Sequence, residues 1–313
     1  MEQIRGSGYM QESKEKSGLF RDYCAAAKTQ LGRGFTLIEL LVVLAIISML
    51  MAILLPTLGK VRQQARSMLI ASNQRQIITA VSLYAADNDG QYPESVATIG
   101  QGSYWNWQEP TMLTGYRKRS PMLHRSMSEY LQGYIEKASI LSCPSSPKEH
   151  TYLQDAWDAG DEWGNPDAPM LKGPLTGTYC FYWNYTGYLG GRRGLFKGPM
   201  NTSGGPEQSK LLVSCYFGYD HWRSRNAYSS CEQFRNANIK EETWFSSSYW
   251  FGLNSSVGMD TLAIKLRAGY TDGHVDNYSA AEAAPMKVIM KRATLEPYPS
   301  GIGPGLFFLP GND

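Results

Sequence analysis

The sequence lacks nearly everything that the common catalytic chemistries require. It has no G-x-S-x-G, no H-E-x-x-H, no phosphate loop and no dinucleotide fingerprint. Histidine is scarce and scattered, at His124, His150, His221 and His274, and the five cysteines (Cys24, Cys143, Cys180, Cys215, Cys231) form no C-x-x-C pair. A zinc centre needs such ligands at close spacing, so none is expected. Asp220 and His221 follow Cys215 in the chain, but spacing alone does not make a triad. Charge of one sign is missing too. Thirty Lys and Arg stand against 28 Asp and Glu, a formal charge of +2. That balance gives no electrostatic footprint for nucleic acid. These absences predict a protein that is not an enzyme, needs no cofactor and has no nucleic-acid partner.

What is present begins with a folding composition: 42% hydrophobic and 19% charged residues over 313 positions. That length suffices for one large domain or two small ones. Charge is unevenly placed. Residues 1–34 carry six basic and four acidic side chains, and the remaining residues balance to zero. A tail without apolar periodicity ahead of a neutral body is the pattern of a segment to be removed. Aromatics, 20 Tyr and 8 Trp, lie almost wholly after residue 80 and favour strands and stiff cores.

Phe35 to Leu55 is an apolar run of 21 residues with one charge, Glu39. At about 1.5 Å per residue a helix of that length spans roughly 31 Å, the thickness of a bilayer core. A secretory signal is shorter and ends in small residues, whereas this run continues into Leu54-Leu55-Pro56. A plain anchor accounts for the length but not for Glu39, because a carboxylate inside a membrane costs at least about 2.5 kcal/mol and so finds a partner. A cut before Phe35 creates one: the new amino group lies one helical turn from Glu39, on the same chain or on a neighbour.

Arg33-Gly34-Phe35-Thr36-Leu37-Ile38-Glu39 and the run behind it resemble the processing signature of type IV prepilins and pseudopilins of type II secretion. The resemblance implies cleavage between Gly34 and Phe35 by a prepilin peptidase, N-methylation of Phe35, and use of Glu39 in subunit assembly. It also implies other pilins and an inner-membrane assembly platform as partners. The protein is then expected to cross the bacterial inner membrane once, with an extracytoplasmic head, before joining a filament. Positive charges flanking the run tie at four on each side, so orientation rests on the signature. The 34-residue leader is long for the family, and Met10 offers a second start. Pro56 resembles the kinking proline of many pilins, and proline disrupts a helix on physical grounds alone.

Four segments follow: residues 1–34 as leader, 35–55 as membrane helix, 56–88 as its amphipathic continuation, and 89–313 as a β-rich head. In the continuation, Val61, Ala65, Met68, Leu69, Ile77, Ala80, Val81 and Tyr84 recur every three or four residues. Asn88-Asp89-Gly90 supplies turn chemistry to end the helix. Beyond it the chain looks strand- and loop-rich: Leu211–Phe217 is a short apolar run, and 263–275 suggests two strands about Thr271-Asp272-Gly273. Gly198–Pro206 and Pro297–Pro310 read as loops. The expected class is α+β, a long helix on an antiparallel sheet. Tyr270–Val275 further resembles a C-terminal Asp-Gly-His signature of large prepilin-like proteins, lacking its upstream His, and Cys143-Pro144 resembles a Cys-Pro element of the same group.

With Cys24 in the leader, Cys143, Cys180, Cys215 and Cys231 remain for disulfides in an oxidising compartment, in any of three pairings; Cys143–Cys180 with Cys215–Cys231 is the sequential one. Calcium is the one metal with candidate ligands, Asp155, Asp158, Asp161 and Glu162 in a loop-like stretch, at a spacing unlike an EF-hand. Two alternatives keep the anchor and change the head. A carbohydrate-binding module needs Trp105, Trp107, Trp183 or Trp250 exposed in a row. An anchored enzyme needs His221 beside an acid and a nucleophile.

Overall fold

The computed structural model describes residues 35–97, 109–114, 126–145, 152–164, 175–190, 194–220, 226–229, 265–291, 294–297 and 306–311. The chain divides into two units, residues 1–61 and 62–313. Helix α1, Leu37–Asp87, contributes to both.

In the first unit every described side chain is exposed, from Phe35 to Val61. Such a surface is unstable in water, since each large apolar side chain left wet forgoes about 1.5–3 kcal/mol. This helix is long and apolar enough to cross a membrane by length and composition. Pro56 lies inside it. Proline brings no N–H, so the Ala52 carbonyl loses its usual donor. The Thr57 hydroxyl donates instead to the Leu54 carbonyl at 2.9 Å and, more weakly, to that of Ile53.

In the second unit α1 buries one face: Ile70, Ala71, Gln74, Ile77, Ile78, Val81 and Ala85, at helical spacing, with Ala80 beside them. The expected stripe is corrected in its first half. Ala65, Met68 and Leu69 are exposed because they project from the other side of the helix. The helix stops where the turn residues stand. Gly90 N–H donates to the Ala85 carbonyl at 2.8 Å, and Asp89 and Gly90 both take positive φ.

Among the described residues the head holds two antiparallel sheets, where one was expected. The first has the order β1-β4-β7-β8: β1 (Tyr179–Phe181), β4 (Leu211–Cys215), β7 (Lys265–Tyr270) and β8 (Val275–Ser279). The second runs β3-β2-β9-β11-β5-β6: β3 (Gly194–Lys197), β2 (Thr186–Gly190), β9 (Ala283–Lys291), β11 (Leu306–Pro310), β5 (Phe217–Asp220) and β6 (Asn226–Ser229). The short β10 (Glu296–Pro297) also pairs with β9. Only Tyr216 separates β4 from β5, so a single residue carries the chain from one sheet to the other. The 211–217 run is buried throughout for this reason.

Helix α1 approaches the first sheet at Gly269, where an added Cβ would collide with the end of Ile78. Gln74, fully buried, donates to the Arg267 carbonyl of β7 at 3.2 Å. Aromatic rings fill the interior: Phe217 and Phe308 lie 4.8 Å apart, and Tyr182 meets Phe196 edge-on at 5.3 Å. Residues 306–310, expected as loop, form strand β11 with Phe307, Phe308 and Leu309 buried. Residues 153–164, also expected as loop, form a short helix α3 (Leu153–Ala159; α2 is Ser128–Leu131) and a 3-10 turn, Gly160–Gly164.

Candidate functional site

Phe35 and Thr36 precede α1 in non-helical backbone. The Thr36 carbonyl takes the first helical bond, from Leu40 N–H at 3.2 Å, which makes Thr36 the N-cap and Glu39 the third helical residue. The two side chains answer each other. Thr36 Oγ1 accepts from Glu39 N–H at 3.2 Å, while one carboxylate oxygen, Oε2, accepts both the Thr36 N–H and the Thr36 hydroxyl at 2.8 Å. This is a capping box, and it satisfies two of the amide donors that a helix start leaves bare. A negative charge in the first turn also suits the helix dipole. The role of Thr36 is legible as Thr-x-x-Glu, a spacing that the reading of the prepilin signature passed over. Gly34 lies outside the described residues.

The head's candidate residues are not gathered into one site. Asp155 and Asp158 are exposed on α3. Asp161 turns away to accept Ser126 N–H at 2.6 Å, and its own N–H donates to Glu129 at 3.0 Å. Among the described residues no group of three or more His, Cys, Asp or Glu is placed to hold a metal. Trp183 is buried, and Trp105, Trp107, Trp250 and His221 lie outside the described residues. A cavity of about 670 Å³ opens beside α1, lined by Arg75, Thr79, Tyr134, Glu136, Lys137 and others, with no His or Cys in its wall.

Cys143 and Cys180 are buried thiols and do not form a disulfide, which corrects the Cys143–Cys180 half of the sequential pairing. The reason is strand alternation. Tyr179 and Cys180 are neighbours on β1, so their side chains leave opposite faces. Tyr179 faces Cys143, while Cys180 lies with Tyr182 and Ser214. Burial pushes the Cys180 thiol far above its ordinary range. Native iodoacetamide treatment at pH 8 is therefore expected to leave Cys180 unmodified, with alkylation appearing only as the head unfolds; peptide mass mapping checks this. Cys231 lies outside the described residues.

Asp272-Gly273-His274 forms the β7–β8 turn. Gly273 takes φ +89°, the Tyr270 and His274 rings stack at 4.4 Å, and Asp272 accepts from both the backbone and the ring of His274. The His274 amide holds the Asp272 carboxyl below its usual range. These bonds secure a hairpin.

Comparison with known proteins bears on the N-terminal end. Residues 32–55 match the prokaryotic N-terminal methylation motif. Over 70 residues the chain is 36% identical to the type IV wide pilus major component PilA4 of Thermus thermophilus, covering 22% of this chain and 53% of that protein. The chain thus spans about half the length of the relative it matches. No solved structure matches. The methylation motif at residues 32–55 and the similarity to a type IV pilus component over 70 residues agree that the N-terminal part of this chain is similar to that of type IV prepilins.

Proposed function

We propose that this protein is a structural subunit, a pseudopilin or minor pilin, of a type II secretion or type IV pilus-like filament, and that it has no catalytic role. One observation carries this reading: a single carboxylate, Glu39, sits in the first turn of α1, within an otherwise uncharged apolar stretch, residues 35–55, whose side chains are all exposed. A membrane accommodates those side chains but not a lone charge. Cleavage between Gly34 and Phe35 supplies the missing cation, and methylation of Phe35 leaves it charged. The partners are a prepilin peptidase, other pilins and an inner-membrane assembly platform. The protein crosses the inner membrane once, holds its head outside the cytoplasm, and then moves into the filament, with Pro56 bending the helix. Cys215 and Cys231 pair in the oxidising compartment, and the Asp-Gly-His turn marks the large-head subgroup. The reading requires no cofactor. Trp183, being buried, lends nothing to a sugar-stacking platform.

The N-terminal mass of the protein from its native membrane tests the proposal. The expected result is a chain beginning at N-methyl-Phe35, absent when the prepilin peptidase is deleted and absent in Gly34→Leu, whose side chain obstructs the cut. An uncut leader in the presence of the peptidase rejects the reading and leaves a membrane-anchored head.

A further inference from the structure

The Glu39 carboxylate is used unevenly. Oε2 accepts both the backbone N–H and the hydroxyl of Thr36, each at 2.8 Å, while no described residue donates to Oε1. The Thr36 hydroxyl acts twice, since its oxygen also receives Glu39 N–H at 3.2 Å. Three bonds between these two residues, two of them donated by a backbone N–H, fix the carboxylate's rotation and its distance from the helix axis. They also fix where the helix begins, with Phe35 and Thr36 ahead of it. A long acidic side chain at a free helix end otherwise samples many rotamers, and holding it to one costs conformational entropy. Here that cost is met before any partner arrives.

We infer that Thr36 is a positioning residue for assembly: it ties up one oxygen of Glu39 and presents the other, preorganised, to the amino group of a neighbouring subunit. This rests on the proposed function, since it takes the Glu39-to-amine pair as the assembly contact and adds the residue that aims it. Binding by a group already held in its bound geometry gains affinity by avoiding the ordering cost. The pair forms in an apolar phase, where charges attract more strongly than in water and no solvent substitutes for the partner. Serine can make the same three bonds. Valine matches threonine in shape, loses the two bonds made by the hydroxyl and keeps only the one donated by the backbone N–H.

The test compares wild type, Thr36→Val and Thr36→Ser as full chains in the native membrane with the peptidase present. Two quantities are read: the fraction cut, by N-terminal mass, and the fraction in filament-sized assemblies, by sedimentation of gently solubilised membranes. In wild type both are high. Thr36→Val is expected to be cut as wild type but to assemble about tenfold less, and Thr36→Ser to restore at least half of wild-type assembly. Loss of assembly in Thr36→Ser equal to that in Thr36→Val points to the methyl group and overturns the inference, as does wild-type assembly in Thr36→Val. An uncut wild-type chain rejects the proposed function itself, and is thereby distinguished from failure of the role given to Thr36.

Discussion

Gly198→Ala is expected to unfold the head or to destabilise it by about 4 kcal/mol or more, the range reserved for substitutions that force backbone apart. A Cβ at Gly198 would overlap the Tyr182 carbonyl oxygen and crowd that of Tyr185. Neither obstacle is a side chain that can rotate away. Both belong to a closed turn: Gly198 N–H donates to the Tyr185 carbonyl at 2.8 Å, Asn184 N–H to the Pro199 carbonyl at 2.9 Å, and Asn184 itself sits at φ +52°. Tyr182 and Tyr185 are buried, so moving their carbonyls moves two core rings. Gly187→Ala is milder, because its Cβ meets the flexible end of Met286. Gly133→Ala serves as the control: nothing lies within 4 Å of its Cβ, and the change is expected to stay within about 0.5 kcal/mol. Urea denaturation of the three variants in detergent, followed by tryptophan emission, gives the ranking. Equal midpoints for Gly198→Ala and Gly133→Ala would show that the turn yields.

These contacts show which parts of the fold a sequence reveals. The N-terminal helix was legible because its cause is local: an unbroken apolar run, then one turn of Asn88-Asp89-Gly90. The β7–β8 hairpin was legible for the same reason, since Asp272-Gly273 falls between two apolar strands. Strand β11 was not. Glycines and prolines on both sides of Leu306–Leu309 argue for loop, and only the β9 and β5 partners on either side overrule them. The face of α1 that meets the head was legible from Ile77 onward, but not earlier, because Ala65, Met68 and Leu69 repeat at helical spacing on a side that the head does not cover. At the candidate site, Glu39 stood out as a charge in an apolar run. Thr36 did not, since a threonine among apolar residues carries no signal until its spacing to Glu39 is read as a cap. The cysteines illustrate the opposite limit: an even count suggests pairing, yet alternation along β1 turns Cys180 away from Cys143.

Lys287→Met is expected to stabilise the head at neutral pH. Lys287 is 3% exposed on β9, and its chain neighbours Met286 and Val288 are buried as well, so both faces of the strand are covered there. In register it stands between Tyr188 of β2 and Leu306 of β11, an interior position from which the amine has no short path to water. Desolvation lowers its pKa to about 8. In the unfolded chain a lysine titrates near 10.4. Between those values the unfolded state holds more protons than the folded one, so stability rises with pH across that window. Below about pH 8 the amine is charged in both states, and the folded state carries the full burial cost, about 3 kcal/mol for a shift of this size. Lys287 keeps an interaction in the head that methionine forfeits, worth about 1 kcal/mol. The net gain expected for Lys287→Met at pH 7 is therefore about 2 kcal/mol. Urea midpoints measured from pH 7 to 10.5 separate this from a packing effect. Wild type should climb by about 3 kcal/mol through the window while Lys287→Met stays nearly level, so the two curves should cross and wild type should end about 1 kcal/mol ahead at the alkaline end. Parallel curves would mean that the buried amine is not the source of the cost.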